Sequence, residues 1–365
     1  MNVRNSLKDT VALSLVPNLG PVSAKRLIER FGSVAGIFDS PLSQLQSVGG
    51  LSATAIAGLK SPSLACQAAE EIAHASRQGV RLLVAEDPDY PAELKEIYAP
   101  PIVLYVKGDF SLLHTVKIAI VGSRDASIYG SQTASKIAKE LSEAGVTVVS
   151  GMAMGIDSAA HEGALAAGGP TIAVLGSGLS RISAGASSRM AERIVEGRGA
   201  LISEFPMRMP AEAYTFPVRN RIISGISSGV LVVEAKAKSG ALITVDAALE
   251  QGREVYAVPG NADSLRSQGT LKLLKQGAKL VTEAQDILQD LSLSREGRPN
   301  LSAETPNLSA DENVLLSFLD REPRHVDELI SHANLAPKDA IVALSFLELK
   351  GFAKQLPGKN YVASR

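Results

Sequence analysis

The sequence predicts an α/β fold built around a Rossmann-like, doubly wound, mostly parallel sheet. Between about residues 82 and 290, short runs of β-branched residues alternate with Ala-rich segments of helical length. These runs are apolar throughout, which is typical of strands covered by helices on both faces of a sheet. The composition changes on either side of this region, which indicates a separate module at each end.

Length and composition limit the possible functions. At roughly 150 residues per domain, two or three domains are expected for a chain of 365 residues. Lys and Arg number 37 against 38 Asp and Glu, a formal charge of −1, so a nucleic acid would have to be bound by a local patch. One cysteine excludes a disulfide framework and a multi-thiolate metal site. We expect a soluble cytoplasmic protein without a membrane partner, because no signal peptide or bilayer-spanning run is found.

Residues 1–80 are predicted to form a helical module of the helix-hairpin-helix or SAM-like type. Two Gly-rich turns, Pro17–Pro21 and the weaker Val48–Leu51, each lead into a helix. In helix-hairpin-helix modules, the backbone amides at such a helix N-terminus can hold a phosphate. A packing hairpin without a ligand is an equally good interpretation, because the flanking charges are nearly balanced.

Residues 82–291 are predicted to form the extended Rossmann-like domain. Because ligands of open parallel sheets lie at the carboxyl ends of the strands, the residues directly after each strand are the candidate site. The predicted strands are Ile102–Val106, Lys117–Val121, Val146–Ser150, Thr171–Leu175, Ala200–Ser203, Val230–Glu234, Glu254–Val258 and Lys279–Thr282, and the long helices are Ser131–Ala144, Asp157–Ala167 and Ala241–Gln251.

A polar segment rich in Ser, Pro and Asn, residues 292–308, is predicted to be a linker. Residues 309–365 then show a winged-helix pattern of three short helices and a β-hairpin. The helices are Asn313–Leu319, Val326–Ala333 and Lys338–Lys350, and the hairpin spans 351–362 with a turn at Pro357-Gly358. Duplex DNA binding and protein contact both remain open for this domain.

Two strand ends carry glycines that suit an anion. Gly122-Ser123-Arg124 follows one strand, and the Ser150-Gly151-Met152 turn follows another. Glycine lets the backbone approach a ligand, and backbone amides together with Arg124 favour a negative charge. The pattern is not GxGxxG and no acidic residue follows at the ribose-binding distance, so NAD is not expected.

The segment FPVRNRIISG at 216–225 is the strongest candidate for nucleic-acid binding. Phe216 offers a stacking ring, Arg219 and Arg221 offer phosphate clamps, and Asn220 offers an amide for base edges. From Phe205 to Gly240 there are five basic residues against two acidic ones, a local charge of +3. Lys236 belongs to this basic set and follows a predicted strand.

Motifs for catalysis are missing from the sequence. His161-Glu162 begins an HExxH zinc motif, but Leu165 stands where the second histidine is required. The GxSxG spacing occurs once, in GISSG at 225–229, but this segment precedes a predicted strand and is therefore not a nucleophile elbow. No phosphate loop or convincing acid–base pair is found. The sequence therefore predicts no catalytic residues, no metal and no cofactor.

Several motifs, taken in chain order, resemble the bacterial DNA-processing protein A family, also called DprA or Smf. The match runs through about residues 100–280, and the flanking modules fit members that carry a helical N-terminal module and a winged-helix-like C-terminal domain. The motifs are VGSR at 121–124, SGMAMGID at 150–157, HEGAL at 161–165, TIAVLGSGL at 171–179, ALISEFP at 200–206, FPVRNRIISG at 216–225, VVEA at 232–235, SGALIT at 239–244 and AVPGN at 257–261.

The resemblance implies a non-catalytic protein that binds single-stranded DNA through the Rossmann-like domain, dimerises through it, and helps to load the RecA recombinase in natural transformation. The DNA pocket that it implies is lined by Gly122, Ser123, Arg124, Ser150, Gly151, Met152, Phe216, Arg219, Asn220 and Arg221, with Lys236 as a weaker candidate. Two positions depart from the family pattern. Ser183-Ala184 replaces the usual Tyr-Pro pair, and Leu271 stands where members tend to have Asn.

The alternative is a hydrolase, since nucleotide-processing enzymes of the same Rossmann-like superfamily carry a PGGxGTxxE segment. Here Asn261 follows Pro259-Gly260, and Leu273 stands where the glutamate is expected. The sequence therefore favours binding over hydrolysis.

Overall fold

The computed structural model describes residues 6–293, 308–319, 324–333, 335–349, 352–356 and 358–363. The chain divides into two compact units, Met1–Ser294 and Arg295–Arg365. The predicted helical module and the predicted sheet domain thus belong to one unit. Residues 294–307 of the predicted linker lie outside the described residues.

The first unit begins with six helices that form the predicted helical module. They are α1 (Leu7–Ser14), α2 (Pro21–Phe31), α3 (Val34–Asp39), α4 (Leu42–Gln46), α5 (Ala53–Leu59) and α6 (Leu64–Arg77). Side chains of Ser6, Ser33 and Ser52 cap three of these helices at their N-termini, and Gly20-Pro21 opens α2. Leu13 and Leu27 are fully buried, and they share one apolar core with Tyr105 on the second strand of the sheet. The module is therefore packed against a face of the sheet, near its β1 end.

The sheet has nine strands and the doubly wound order of a Rossmann-like fold. The order is β1-β2-β6-β5-β4-β3-β7-β8-β9, and all pairs are parallel except β1–β2 and β2–β6. The strand order reverses between β3 and β7, which is where open α/β sheets bind their ligands. The strands are β1 (Arg81–Leu83), β2 (Leu104–Gly108), β3 (Lys117–Val121), β4 (Thr147–Ser150), β5 (Thr171–Val174), β6 (Gly199–Ser203), β7 (Gly229–Val232), β8 (Glu254–Ala257) and β9 (Lys279–Leu280).

Helices cover both faces of this sheet, which confirms the predicted fold class. They are α7 (Ala92–Lys95), α8 (Ile128–Glu143), α9 (Ile156–Ala166), α10 (Ala186–Glu196), α11 (Thr215–Gly225), α12 (Ala241–Glu250), α13 (Gln268–Lys275) and α14 (Ala284–Leu293). The strands predicted from β-branched runs match the observed strands to within a few residues. The helical conformation of α11 was not predicted, because its polar and apolar residues do not separate clearly in the sequence.

The second unit has the predicted winged-helix pattern. Its elements are α15 (Ala310–Ser317), β10 (Arg324–His325), α16 (Val326–Ala333), α17 (Pro337–Leu349), β11 (Ala353–Leu356) and β12 (Asn360–Ala363). The three strands form an antiparallel sheet of order β10-β12-β11. Leu315, Leu329 and Leu344 are fully buried at the centre of this unit. Lys350 and Pro357, which the sequence analysis named, lie outside the described residues.

Across the described part of the chain, no helix combines the length and the apolar character needed to cross a membrane.

Candidate nucleic-acid interface

A cleft of about 580 Å³ opens where the strand order reverses, at the carboxyl ends of β3 and β7. Six of the sequence-predicted residues line it, namely Gly122, Ser123, Arg124, Phe216, Arg219 and Asn220. The other walls come from α11 and from the first turn of α12. The predicted Ser150, Gly151, Met152, Arg221 and Lys236 are not among the residues that line this cleft.

The loop after β3 holds Arg124 at the rim of the cleft. The backbone N–H of Ser123 donates to the carbonyl of Glu234 at 2.8 Å, which ties the ends of β3 and β7 together. Gly122 must be a glycine, because a Cβ there would lie 2.6 Å from Cγ1 of Ile156. Arg124 itself is exposed to solvent. The loop therefore presents an arginine at the switch point on a tightly packed backbone.

The guanidinium of Arg124 stacks over the ring of Phe216, with Cζ 5.0 Å from the ring centroid. Such a cation–π contact orients the arginine without neutralising it. Within the described ranges, no carboxylate forms an ion pair with Arg124. The Arg124 guanidinium and the Phe216 ring both line the cleft.

Arg219, predicted to be a phosphate clamp, is bonded inside the protein at the floor of the cleft. Arg219 is only 3% exposed. Its Nη1 donates to the carbonyl of Gly151 at 2.7 Å and to the carbonyl of Val174. Burial lowers the pKa of Arg219 to about 10, although the nearby Asp157 carboxylate acts in the opposite direction. The guanidinium joins the ends of β4 and β5 beneath the cleft, and these two carbonyls occupy its Nη1. The sequence signal for this was the apolar pair Ile222 and Ile223, which follows Arg219 on the same face of α11.

The Ser150-Gly151-Met152 turn supports Arg219 from below. A Cβ at Gly151 would lie 2.6 Å from Cζ of Arg219, so only glycine leaves room for the guanidinium. The hydroxyl of Ser150 donates to the carbonyl of Ile120 at 2.6 Å inside the sheet. Met152 has a φ of 55°, a left-handed conformation that is uncommon for a residue with a side chain. The turn was predicted to line the pocket, and it instead shapes the floor under it.

Two titratable groups of α9 are buried beside this arginine. Asp157 accepts hydrogen bonds at Oδ2 from the N–H groups of Gly151 and Ala153, at 3.1 and 3.4 Å. Burial raises its pKa, and the charge of Arg219 opposes that shift. Burial also lowers the pKa of His161 to about 3. Asp157 therefore depends on Arg219 for a counter-charge, and His161 is neutral.

The hydrogen bonds of His161 fix its tautomer. Its Nδ1 lies 2.8 Å from Oγ1 of Thr171, and that hydroxyl donates its proton to the carbonyl of Val148. Nδ1 must therefore carry the imidazole proton and donate to Thr171. Nε2 is buried without a partner among the described residues. His161 supports the packing of α9 on β4 and β5 and faces neither solvent nor the cleft.

Arg221 is also neutralised inside the protein. Its Nη2 forms an ion pair with Oε2 of Glu204, and the two side chains are only 15% and 7% exposed. Arg221, predicted to be a phosphate clamp, is thus paired inside the protein and does not line the cleft. Lys236 stays exposed, but it lies 3.4 Å from Asp125, which also pairs with Arg266 at 3.1 Å.

Glu234 is the residue that the sequence analysis missed. It is buried directly after β7, and its carboxylate accepts from the N–H of Ser127 at 2.9 Å and from the Ser127 hydroxyl at 2.5 Å. A Cβ at Gly130 would lie 2.6 Å from Oε2 of Glu234, so the carboxylate lies against the first turn of α8. Rossmann dinucleotide-binding folds place a phosphate at this helix N-terminus. Here the protein's own carboxylate fills that position.

A family model described as DNA recombination-mediator protein A matches residues 81–292 of the chain. A second model, described as the DprA winged helix domain, matches residues 299–359. The protein Smf of Escherichia coli is 41% identical over 290 residues, covering 78% of this chain and 77% of that protein.

Two solved structures share the fold. That of DNA processing protein A from Streptococcus pneumoniae has a TM-score of 0.65 at 34% identity, covering 80% of this chain and 99% of that one. That of DNA processing protein A from Helicobacter pylori, which is described for its single-stranded DNA binding mode, has a TM-score of 0.53 at 28% identity, covering 59% of this chain and 97% of that one.

The fold and the cleft define a Rossmann-like protein whose switch point presents a cation on an aromatic ring and whose usual phosphate position is closed by a carboxylate. The two family models match this domain and the winged-helix region that follows it in the chain. The chain belongs to the DprA/Smf family of DNA recombination-mediator proteins.

Proposed function

We propose that this protein is a non-catalytic, cytoplasmic mediator of recombination that binds single-stranded DNA and helps to load the RecA recombinase. The observation that carries the DNA-binding part is the exposed Arg124 guanidinium stacked on Phe216 at the mouth of the switch-point cleft. A guanidinium held in this way binds a phosphate through its N–H donors and stacks a base on its open face. Unpaired DNA offers both groups at once, whereas a duplex keeps its bases inside.

The predicted contact set changes with the structure. Arg124 and Asn220 are the proposed DNA contacts in the cleft, and the exposed Lys236 lies beside it. Asn220 keeps its amide close to the carbonyl of Gly240, at 3.4 Å from Nδ2, so it borders the cleft in a fixed orientation. Arg219 and Arg221 contribute by holding α11 in place. Binding through one open arginine per protomer is weak, so we propose a homodimer in which two clefts hold one strand.

The proposal that the protein is not an enzyme has two supports. Glu234 occupies the helix N-terminus where a nucleotide phosphate would bind in the related fold. Leu273, which stands at the position of the hydrolase glutamate, is buried in the apolar core under the sheet. Residue 273 therefore supplies packing where hydrolysis would need an acid or base.

For the winged-helix unit we propose protein contact. In that fold the third helix commonly enters the major groove of DNA and needs cations on its outer face. Here α17 exposes three large apolar side chains, Ile341, Val342 and Phe346, each about half exposed. Lys338 is the one basic residue within the bounds of α17, and Asp339 follows it directly. An apolar outer face favours a protein partner over a duplex.

The test is a titration of the full chain with single-stranded and double-stranded oligonucleotides at about 50 and 200 mM salt. We expect tighter binding to the single strand and a steep salt dependence. Each phosphate contact to a single strand contributes about 0.7 to the slope of log affinity against log salt. Arg124→Ala should reduce affinity and lower the slope by about 0.7.

The matched control is Arg189→Ala on α10, an exposed arginine that does not line the cleft. We expect the Arg189 variant to bind like the wild type. Equal losses in the two variants would point to non-specific attraction, and an unchanged Arg124 variant would contradict the proposed contact. Incubation with nucleoside monophosphates, followed by a search for released base, tests the hydrolase alternative.

A further inference from the structure

Three loops meet at the carboxyl ends of β3, β7 and β8, which are neighbouring strands of the sheet. Asp125 lies in the loop after β3, Lys236 in the loop after β7, and Arg266 in the loop after β8. One oxygen of the Asp125 carboxylate, Oδ2, lies 3.4 Å from Nζ of Lys236 and 3.1 Å from Nη2 of Arg266. The two cations thus hold a single anionic oxygen between them.

All three side chains of this cluster are accessible to a ligand. The side chain of Asp125 is 65% exposed, that of Lys236 is 53% exposed and that of Arg266 is 41% exposed. Ion pairs in such exposed positions contribute little to stability, so the carboxylate can leave the cations at a small cost. A phosphate oxygen carries a negative charge and accepts the same N–H donors. The cluster is therefore a place where a phosphate can replace a carboxylate.

The position of Arg266 does not depend on this carboxylate. Its Nε donates to the backbone carbonyl of Asp125 at 3.1 Å, and its own carbonyl accepts from the N–H of Ala235 at 2.9 Å. The loop that carries Asp125 is held by Ser123, whose hydroxyl accepts from the N–H of Asp125 at 3.2 Å. When the carboxylate moves away, these backbone bonds keep the guanidinium in place for another anion.

The cluster joins the cleft to a neighbouring depression. Asp125 lines the cleft, whereas Arg266 lines a crevice of about 560 Å³ whose other walls are mostly polar and include Ser127 and Asn261. Asp125 also follows Arg124 directly in the chain, and consecutive Cα atoms are only about 3.8 Å apart. A strand bound at Arg124 therefore has its next phosphates close to the two cations. This continuity favours a phosphodiester of the same strand over a separate anion.

We propose that Lys236 and Arg266 form a second phosphate-binding subsite, which Asp125 occupies in the free protein and yields to a phosphodiester of the bound strand. The proposal rests on the proposed single-stranded DNA binding. The charge of Arg266, together with hydrogen bonds from Lys236 and Arg266, lowers the pKa of Asp125, so the competing carboxylate is ionised. It reduces the affinity of the subsite for any anion, and it returns to the cations when the strand leaves.

The test measures binding of a single-stranded oligonucleotide of about 16 nucleotides to the full chain at about 50 and 200 mM salt. Asp125→Asn should bind roughly two- to fivefold more tightly at the lower salt concentration, because the phosphate no longer displaces a charged partner. Arg266→Ala should bind more weakly and should lower the slope of log affinity against log salt by about 0.7, the value for one phosphate contact. Circular dichroism verifies that each variant is folded.

Asp263→Asn is the matched control for the change in net charge. Asp263 is exposed in the same loop as Arg266, and no ion pair involves it within the described ranges. Its replacement removes one negative charge without freeing Lys236 or Arg266, so this variant should bind like the wild type. An equal gain in the Asp125 and Asp263 variants would reveal a general charge effect and overturn the subsite.

A double-variant background separates displacement from simple repulsion, because Asp125 also lines the cleft. If Asp125 acts through the two cations, Asp125→Asn should give no gain in the Lys236→Ala/Arg266→Ala protein. An undiminished gain in that background would overturn the proposal. A nucleoside monophosphate carries the same oxygens without a strand in the cleft, and its binding should not be strengthened by Asp125→Asn. A gain as large as that of the oligonucleotide would indicate a site for free nucleotides instead.

The proposed function is measured separately by wild-type binding of the oligonucleotide and by its loss in Arg124→Ala. If the wild type binds and depends on Arg124, but Asp125→Asn and Arg266→Ala bind like the wild type, only the subsite is refuted. If the wild type does not bind the single strand, both proposals fail.

Discussion

Replacing Arg219 by alanine should destabilise the protein far more than it weakens a DNA contact. The substitution removes the donor that satisfies the carbonyls of Gly151 and Val174, which are both buried beneath the cleft. It also leaves Asp157 as a buried carboxylate whose nearby positive charge is gone. Breaking a buried charge interaction from one side costs about 3–5 kcal/mol, and we expect a loss of about 4 kcal/mol. That is a large part of the roughly 5–15 kcal/mol by which domains are stable.

Urea unfolding followed by circular dichroism measures this loss. Asp157→Asn should restore part of it in the Arg219→Ala background, by about 1 kcal/mol or more, because neighbouring charges couple. The sign of the pH dependence follows from the raised pKa of Asp157. Protonation of Asp157 removes the unpaired charge. The difference in free energy of unfolding between the wild type and Arg219→Ala should therefore become smaller as the pH falls.

The opposite pattern would refute this reasoning. If Arg219→Ala unfolded like the wild type, bound single-stranded DNA weakly and showed a flatter salt slope, Arg219 would be a phosphate contact. Arg124→Ala provides the comparison, because Arg124 is exposed and should affect binding without affecting unfolding. The two arginines therefore have distinct experimental signatures.

Three further predictions follow from other buried groups and from the winged-helix unit. The free energy of unfolding of the wild type should fall by about 2 kcal/mol between about pH 7 and pH 5. The reason is that His161, with a pKa of about 3 in the folded protein, cannot take up the proton that the unfolded imidazole binds. In urea unfolding, the free energy of unfolding of His161→Gln should fall less over the same pH range. In the same assay, Glu204→Ala should lower the free energy of unfolding by about 3–5 kcal/mol, because it leaves Arg221 as a buried unpaired charge. The double variant Glu204→Leu/Arg221→Met removes both charges, and its free energy of unfolding should be within about 1 kcal/mol of the wild-type value. Deletion of residues 309–365 should leave duplex DNA affinity unchanged in a titration, and a marked loss would restore the duplex-reading interpretation.

The strands and the location of the cleft could be predicted from the sequence because both depend on local signals. Continuous apolar runs mark buried parallel strands, and the carboxyl ends of such strands lie at one edge of the sheet. For this reason Gly122, Ser123 and Arg124 were placed correctly beside Phe216 and Asn220.

The hydrogen-bond and ion-pair partners of Arg219 and Arg221 could not be predicted from the local sequence. Arg219 bonds carbonyls that lie 68 and 45 residues away, and Arg221 pairs with Glu204 at a separation of 17 residues. A cluster of arginines near a strand end has the same local pattern whether its side chains point toward solvent or toward the sheet. The direction is decided by tertiary acceptors, here two carbonyls and one carboxylate. Local charge of +3 was therefore an overestimate of the charge available to a ligand.

This internal neutralisation bears on how a mediator can release its strand. If all three arginines had met phosphates, the strand would be held by three charge contacts per protomer, and transfer to a recombinase would have to break them together. With Arg219 and Arg221 bonded inside the protein, the proposed contacts that would hold the DNA in the cleft are Arg124 and stacked bases, and each stacked base contributes about 1–3 kcal/mol. Such contacts could be given up one at a time, while the proposed homodimer would keep two protomers on one strand. A monomeric variant should then bind single-stranded DNA much more weakly than the dimer yet release it faster, and equal dissociation rates would exclude this account of the exchange.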